Sequence, residues 1–306
     1  MTNTRYNSEE FLNALTKNSA LYDQYNSSQE KLTWCGGCGN YKIQNALKRA
    51  LSLENIHPRD LLLCFDVGCN GNGSDKMHAN TIHGLHGRVL PLAAGCALGN
   101  PKLKVIASAG DGATFSEGAG HVVHAVRNDY PFVFLHHNNN NYGLTTGQAS
   151  STTPKGYPMN AAPDGVYSEP LNPLEIVLSL KPSFVARTFS GDANHLTATM
   201  RQALNHDGFA FVEILQVCPT YNRATPQNWY WDRIKHIEDL PDYDNTDLWQ
   251  AKKIVEDLEK EIYIGLLYHN PRGGFLANLP NRKTYTTTPV EEVKHFDITN
   301  LLKTFE

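Results

Sequence analysis

The sequence predicts an α/β fold: a mostly parallel sheet flanked by helices. Three observations predict it. Short apolar runs of strand length alternate with stretches whose apolar residues recur at helical spacing. One complete strand–helix–strand unit stands out, running from KVIASA at 104–109 through GDG at 110–112 to FVFL at 132–135. The apolar runs are continuous rather than alternating, as in strands covered on both faces.

Residues 1–30 read as a helical N-terminal extension with polar ends. The segment WCGGCGN at 34–40 is a glycine-rich turn, and a helix follows over 41–53, with Ile43, Leu47, Ala50 and Leu51 on one face. LLLCFDVG at 61–68 is a buried strand ending in glycine. Residues 69–80 form a polar loop, since Gly and Asn adopt unusual backbone angles at low cost. The small, apolar stretch 89–99 is a tightly packed helix. After the strand at 104–109 a helix is expected over 115–128, then a strand ending at Asn138 and Asn139. Helices near 173–180 and 194–206 alternate with strands near 184–189 and 209–215. From about 219 the chain is rich in Pro, Trp, Tyr and Asp, with a helix near 247–258. The expected organisation is an extension (1–30), one α/β domain (31–218), and a tail (219–306) that wraps the domain or meets a partner.

Composition excludes several classes. The 306 residues are 41% hydrophobic and 19% charged, enough to bury a sizeable core. No apolar run has the length of a membrane-spanning helix, and the N-terminal residues lack a signal-peptide pattern. A net charge of -4 argues against a general nucleic-acid binder. The 6 cysteines are too few for a disulfide scaffold, so a cytoplasmic chain with reduced thiols is expected.

Three constellations carry chemistry. Asp111 and Asn139 are separated by one helix and one strand, so both fall at the carboxyl edge of adjacent parallel strands, where ligands bind. A carboxylate and an amide oxygen suit Mg²⁺, and the glycines flanking Asp111 admit a diphosphate. The bland alternative is a strand-to-helix turn and an asparagine-rich loop. Secondly, Cys35, Cys38, Cys69 and Cys218 all stand at turn or strand ends, where four thiolates can converge on a structural zinc or a 4Fe-4S cluster. Cys64 lies inside a strand and Cys96 inside a helix, so both read as inert core thiols. Thirdly, His83, His86 and Arg88 in HGLHGR suit a metal or an anion, against the alternative of a surface turn. His136 and His137 end a strand, which turns adjacent side chains to opposite faces, so at most one points into a cleft. These patterns alone choose neither iron over zinc nor thiamine diphosphate over a nucleotide.

WCGGCGN, DVGCN, HGLHGR, GDG with NNNNYGLTTGQ, and FVEILQVCPTYN occur in an order that resembles the β subunits of 2-oxoacid:ferredoxin oxidoreductases, from about 32 to 271. The resemblance implies a thiamine diphosphate-binding fold of the pyrophosphate type. It implies 4Fe-4S ligation by Cys35, Cys38, Cys69 and Cys218, and Mg²⁺ held by Asp111, Asn139 and the backbone carbonyl of Asn141. The cofactor would contact Val67, Gly68, Cys69 and Asn70, then Gly112 and Ala113, then Gly143 and Leu144. His86 is the expected catalytic contact, and Asn72 and Arg88 would face substrate. The implied activity is oxidative decarboxylation of 2-oxoglutarate or a broad range of 2-oxoacids to acyl-CoA, with electrons passed to ferredoxin. An α subunit would carry the other thiamine-binding domain. Two other classes stand beside this reading: a non-oxidative thiamine diphosphate decarboxylase or synthase, and a zinc-binding structural module. The chain departs from the family pattern at several places. WCGGC stands for WCPGC, and Ala113 replaces the last Asp of GDGD. Asn70 and Asn72 replace a serine and a basic residue, which removes a charge suited to a second substrate carboxylate. His137 stands where an aromatic or aliphatic residue is common.

Overall fold

The strands LLLCF, VFLHHN and AFVEIL are buried at every residue, polar ones included, and become the centre of a sheet. The computed structural model describes residues 19–27, 33–256, 260–282, 287–293 and 297–305. In chain order the first elements are α1 (Ser19–Gln24), α2 (Gly39–Leu53), β1 (Leu61–Phe65), β2 (Asn80–His83), α3 (Val89–Gly99), β3 (Lys104–Gly110), α4 (Ala119–Asn128) and β4 (Val133–Asn138). A long loop leads to α5 (Pro173–Ser179), β5 (Phe184–Phe189), α6 (Ala193–Leu204), β6 (Ala210–Leu215), α7 (Gln227–Trp231), β7 (Ile234–His236), α8 (Leu248–Val255) and β8 (Ile262–His269).

All eight strands join one sheet in the order β2-β1-β3-β4-β6-β5-β8-β7. Every pairing from β2 to β5 is parallel. Helices cover both faces. On one, α3, α4, α5 and α8 bury Ala93, Val122, Leu174 and Val255 against Val105, Phe134 and Phe211. On the other, α2 and α6 bury Leu47, Leu51 and Met200 against Leu63, Ile106 and Val212. The predicted mostly parallel α/β class is therefore the observed one. Among the described residues no helix is long and apolar enough to cross a membrane.

The structure differs from the sequence expectation in three places. The segment after 218 is not only a wrapping tail: β8 pairs antiparallel with β5, and β7 pairs parallel with β8, so both extend the same sheet. A register shift between Val185 and Ala186 lies opposite this strand, where Gly265 holds φ 132°. The shift leaves Leu267 unmatched, and Gly265, paired with Arg187, breaks the apolar run that would have announced a strand. β2 also escapes prediction, because it is short, polar and mostly exposed at the sheet edge. The helix expected over 115–128 is divided into a wide π-helical turn (Gly112–Glu117), a break at Gly118 and then α4. Of the predicted extension 1–30, the described part is helical over Ser19–Gln24, and the remainder lies mostly outside the described residues.

Candidate active site

The strand order determines what meets at the carboxyl edge. β1, β3, β4 and β6 are consecutive neighbours. Their ends carry Cys69, Asp111, Asn139 and Cys218 side by side, although these residues are far apart in sequence. The register aligns Gly110 with His137 and Asn138 with Leu215. Between them opens a cleft of ≈ 530 Å³. Its walls bring together Val67, Gly68, Cys69, Asn70, Gly112, Ala113, Gly143 and Leu144, with His86, Asp111, Asn139 and Asn141. That set contains all the residues expected to touch the diphosphate cofactor and its cation. Asn72 and Arg88 do not line the cleft. Asn72 sits in a 3-10 turn (Gly71–Asp75), and the exposed Arg88 turns Nη1 to the carbonyls of Gly87 and Glu117 at 3.2 and 3.4 Å.

Asp111 is the cleft's buried carboxylate. Its Oδ2 accepts from Ser150 Oγ at 2.5 Å and lies 2.6 Å from Thr152 Oγ1. Thr152 Oγ1 is also 3.1 Å from Asn138 Oδ1, and its single proton serves one of the two oxygens. Asn138 Nδ2 donates to Glu213 Oε1 at 2.9 Å, and Arg187 Nε donates to Glu213 Oε2 at 2.7 Å. A polar chain thus runs from a buried ion pair in the sheet to the cleft. Burial pushes Asp111 up to about 6, although the two hydroxyls pull the other way. The pocket therefore disfavours a lone carboxylate and favours one paired with a cation. Asn139 and Asn141 stand beside it, with Asn141 N donating to Asn139 Oδ1 at 3.2 Å. At Gly112 an added Cβ would fall 2.3 Å from the Tyr142 ring, so only glycine lets that ring close over the turn.

The four predicted thiols also converge. All six cysteines are free. Cys38 is the N-cap of α2, and Gly39 N donates to Val217 O at 3.1 Å, which fastens the CxxC turn to the end of β6. An added Cβ on Gly39 would lie 2.7 Å from Gln216 Cγ, so that approach also needs glycine. Burial raises Cys69 to about 12, and the negative charge of Cys38, Cys218 and Cys35 adds to the rise. Cys38 is raised by burial and by Cys218 and Cys35, against a backbone donor at Asn40. The thiols feel one another, yet no three of them among the described residues bring ligand atoms within 4.8 Å of one another. Ligands at about 2.3 Å from a single zinc would sit closer than that. Four thiolates are the donor set of an iron–sulfur group as well as of a structural zinc, and here they are not drawn in to the spacing of a single ion. The only such tight group among the described residues is His195, His236 and Glu238, none of which lines the cleft.

His86 lies 2.6 Å from Glu117 Oε2 and 3.6 Å from Asp66 Oδ1 through Nδ1, and its ring tilts against Tyr142. His83 does not join it: its ring packs over Gly71 on the other side of the loop. Of the adjacent pair, His137 faces the cleft, and His136 turns to Phe115, Phe134 and Phe211. Burial lowers both to about 4, so both rings are neutral.

Sequence reasoning missed four contributors. Asp66, fully buried, accepts from the amides of Val67, Gly87 and Val89 at 2.8, 3.0 and 3.1 Å and so holds the HGLHGR loop. Its signal was a lone acid ending an apolar strand. Ser150 and Thr152 had only the hydroxyl-rich run after YGLTTGQ as a signal, and Gln216 had none.

Residues 66–214 match the family described as thiamine pyrophosphate enzyme, C-terminal TPP binding domain, and residues 218–283 match the C-terminal family of the pyruvate ferredoxin oxidoreductase beta subunit. The 2-oxoacid:ferredoxin oxidoreductase subunit beta of a Sulfolobus species is 37% identical over 249 residues, covering 78% of this chain and 81% of that one. The corresponding protein of Saccharolobus solfataricus is 34% identical, with the same coverage of 78% and 81%. A solved 2-oxoglutarate:ferredoxin oxidoreductase from Magnetococcus marinus, with 2-oxoglutarate, coenzyme A and succinyl-CoA bound, is similar with a TM-score of 0.78 and 27% identity, covering 93% of this chain and 96% of that one. With its fold, its cleft and its relatives in agreement, the chain belongs to the family of 2-oxoacid:ferredoxin oxidoreductase β subunits.

Proposed function

We propose that this chain is the cofactor-bearing half of a cytoplasmic enzyme that oxidatively decarboxylates 2-oxoglutarate, or a range of 2-oxoacids, to acyl-CoA and CO2. The observation that carries this reading is the single carboxyl edge shared by the Asp111–Asn139 cleft and the four cysteines. A non-oxidative thiamine enzyme has no use for the thiols, and a zinc module has none for the cleft.

When bound, thiamine diphosphate supplies the electron sink for decarboxylation, and a 4Fe-4S cluster supplies the one-electron route to ferredoxin. Asp111, Asn139 and the Asn141 carbonyl would hold Mg²⁺ and through it the diphosphate. Ser150 and Thr152 orient the Asp111 carboxylate for that task. Gly112 and Tyr142 form the close-fitting floor. His86, with Nδ1 against Glu117, turns its other nitrogen away from the carboxylates and so can hold or release a proton there. Cys35, Cys38, Cys69 and Cys218 would ligate the cluster.

Leu144 on the cleft wall is 47% exposed and Leu85 in the HGLHGR loop 78% exposed, apolar surface that suits a covering α subunit. The domain that begins near residue 31 then runs past 218 through β8, and the C-terminal segment after it contacts the partner. The test is reconstitution with a coexpressed α subunit and a viologen acceptor. Turnover of 2-oxoglutarate, 2-oxobutyrate or pyruvate is expected only from the pair. Turnover by this chain alone, or a purified pair lacking iron and sulfide, would overturn the reading.

A further inference from the structure

We infer that Asn70, Ser108, His137 and Gln216 form a one-directional hydrogen-bond relay that ends on the sulfur of Cys38 and raises the reduction potential of the group bound there. The inference rests on the proposed ligation of an iron–sulfur cluster by Cys38.

The links are on the cleft wall and beneath it. Asn70 Nδ2 donates to the Ser108 carbonyl at 2.9 Å and lies 3.4 Å from Ser108 Oγ, the weakest N–H···O link of the relay. Ser108 Oγ is 3.0 Å from His137 Nε2, and His137 Nδ1 is 2.9 Å from Gln216 Oε1. Gln216 Nε2 donates to Cys38 Sγ at 3.8 Å. All five residues are buried, so no bulk water competes for these groups.

The donors can point only one way. An amide has one donating and one accepting end, and a thiolate accepts only. Gln216 must therefore give Nε2–H to sulfur and turn Oε1 to the histidine. His137 must then carry its proton on Nδ1, which leaves Nε2 to accept from the Ser108 hydroxyl. Asn70 donates into that hydroxyl in turn. Reversing the Gln216 amide would set a carbonyl oxygen against a thiolate, which is repulsive. Successive donors polarise one another, so the last N–H is a stronger donor than an isolated amide.

Reduction adds one electron to the cluster and neither forms nor breaks a bond. The added negative charge is spread over iron and sulfur, so a donor aimed at a ligand sulfur stabilises the reduced form more than the oxidised one. Gln216 acts directly on the ligand, whereas Asn70, Ser108 and His137 are positioning residues that act through it. This gives His137 a role that an aromatic or aliphatic side chain could not fill.

The experiment is an anaerobic redox titration of the purified heteromer, followed by electron paramagnetic resonance, with iron and sulfide counted in each variant. Gln216→Leu is expected to keep its iron and move the midpoint to more negative potential. It should also lose a proton-coupling signal that exchanges in D2O. His137→Phe is expected to move the midpoint in the same direction by less, because Gln216 keeps its donor but loses its orientation. If Gln216→Leu loses iron, His137→Phe decides. Full clusters with unchanged midpoints in both variants would overturn the relay. Absence of iron from the unaltered protein would overturn the ligation it rests on, a separate result.

Discussion

The carboxyl edge of the sheet and the layer beneath α3 and α4 hold the same two residue types and use them in opposite ways. At the edge, four thiols and His137 stand among polar partners. In the layer, Cys64 packs in the apolar core beside the Cys96 thiol, and His136 lies among phenylalanines, with Nδ1 3.2 Å from Thr114 Oγ1 and Nε2 lacking a hydrogen-bond partner. Cys64 and Cys69 are both pushed up to about 12. In each case burial is the larger cause. The second cause differs: one neighbouring thiol for Cys64, three converging thiols for Cys69. A bound cation reverses repulsion among four thiolates and has no way into the layer. Residue type therefore says little about function here, and the position of the residue within its element says most.

The largest effect expected from this contrast comes from Cys218→Ala, which should abolish the iron–sulfur absorbance and the iron content. Cys64→Ala should leave both intact. Equal loss in the two variants would erase the distinction. Next, Asp111→Asn should eliminate Mg²⁺-dependent binding of thiamine diphosphate, measured by calorimetry. Thr152→Val, which only orients Asp111, should weaken binding by about 10-fold.

A third test concerns the layer. His136 is held near 4 against an ordinary 6.5 because burial opposes its charge. The unfolded chain therefore binds the extra proton first. The stability tied to this neutral ring is complete above pH 6.5 and drains away as pH falls toward about 4. His136→Phe should make that part of the denaturation profile shallower by one histidine's share, since His137, His195 and His206 are held near 4 in the same way, read from urea midpoints at several pH values. The smallest effects are left to the inert thiols. Cys64→Ala should cost about 1 kcal/mol of stability, and the half-buried Cys96→Ala within about 0.5 kcal/mol of none.

The parallel core was legible because its strands are mostly apolar without alternation and its helices keep a 3.6-residue period. The cleft was legible through the spacing of Asp111 and Asn139, one helix and one strand apart, rather than through the glycines and asparagines themselves, which are common at turns. What escaped was set by tertiary contact. β8 is apolar, but Gly265 interrupts it, and its pairing with β5 is antiparallel. β2 has too little apolar character to be noticed. Ser150, Thr152 and Gln216 look like ordinary polar residues until their partners are seen. Asn72 and Arg88 had suggestive neighbours in sequence and nonetheless fall outside the cleft.

The bond from Gly39 to Val217 bears on assembly. It joins the first thiol-bearing turn to the last by backbone alone, without help from any sulfur. The two turns that carry Cys38 and Cys218 are therefore tied through the main chain, whatever group their sulfurs would share. A bulkier residue at Gly39 would press on Gln216 and Ser190 and part the two turns, so the seam between them depends on the absence of a single methyl group.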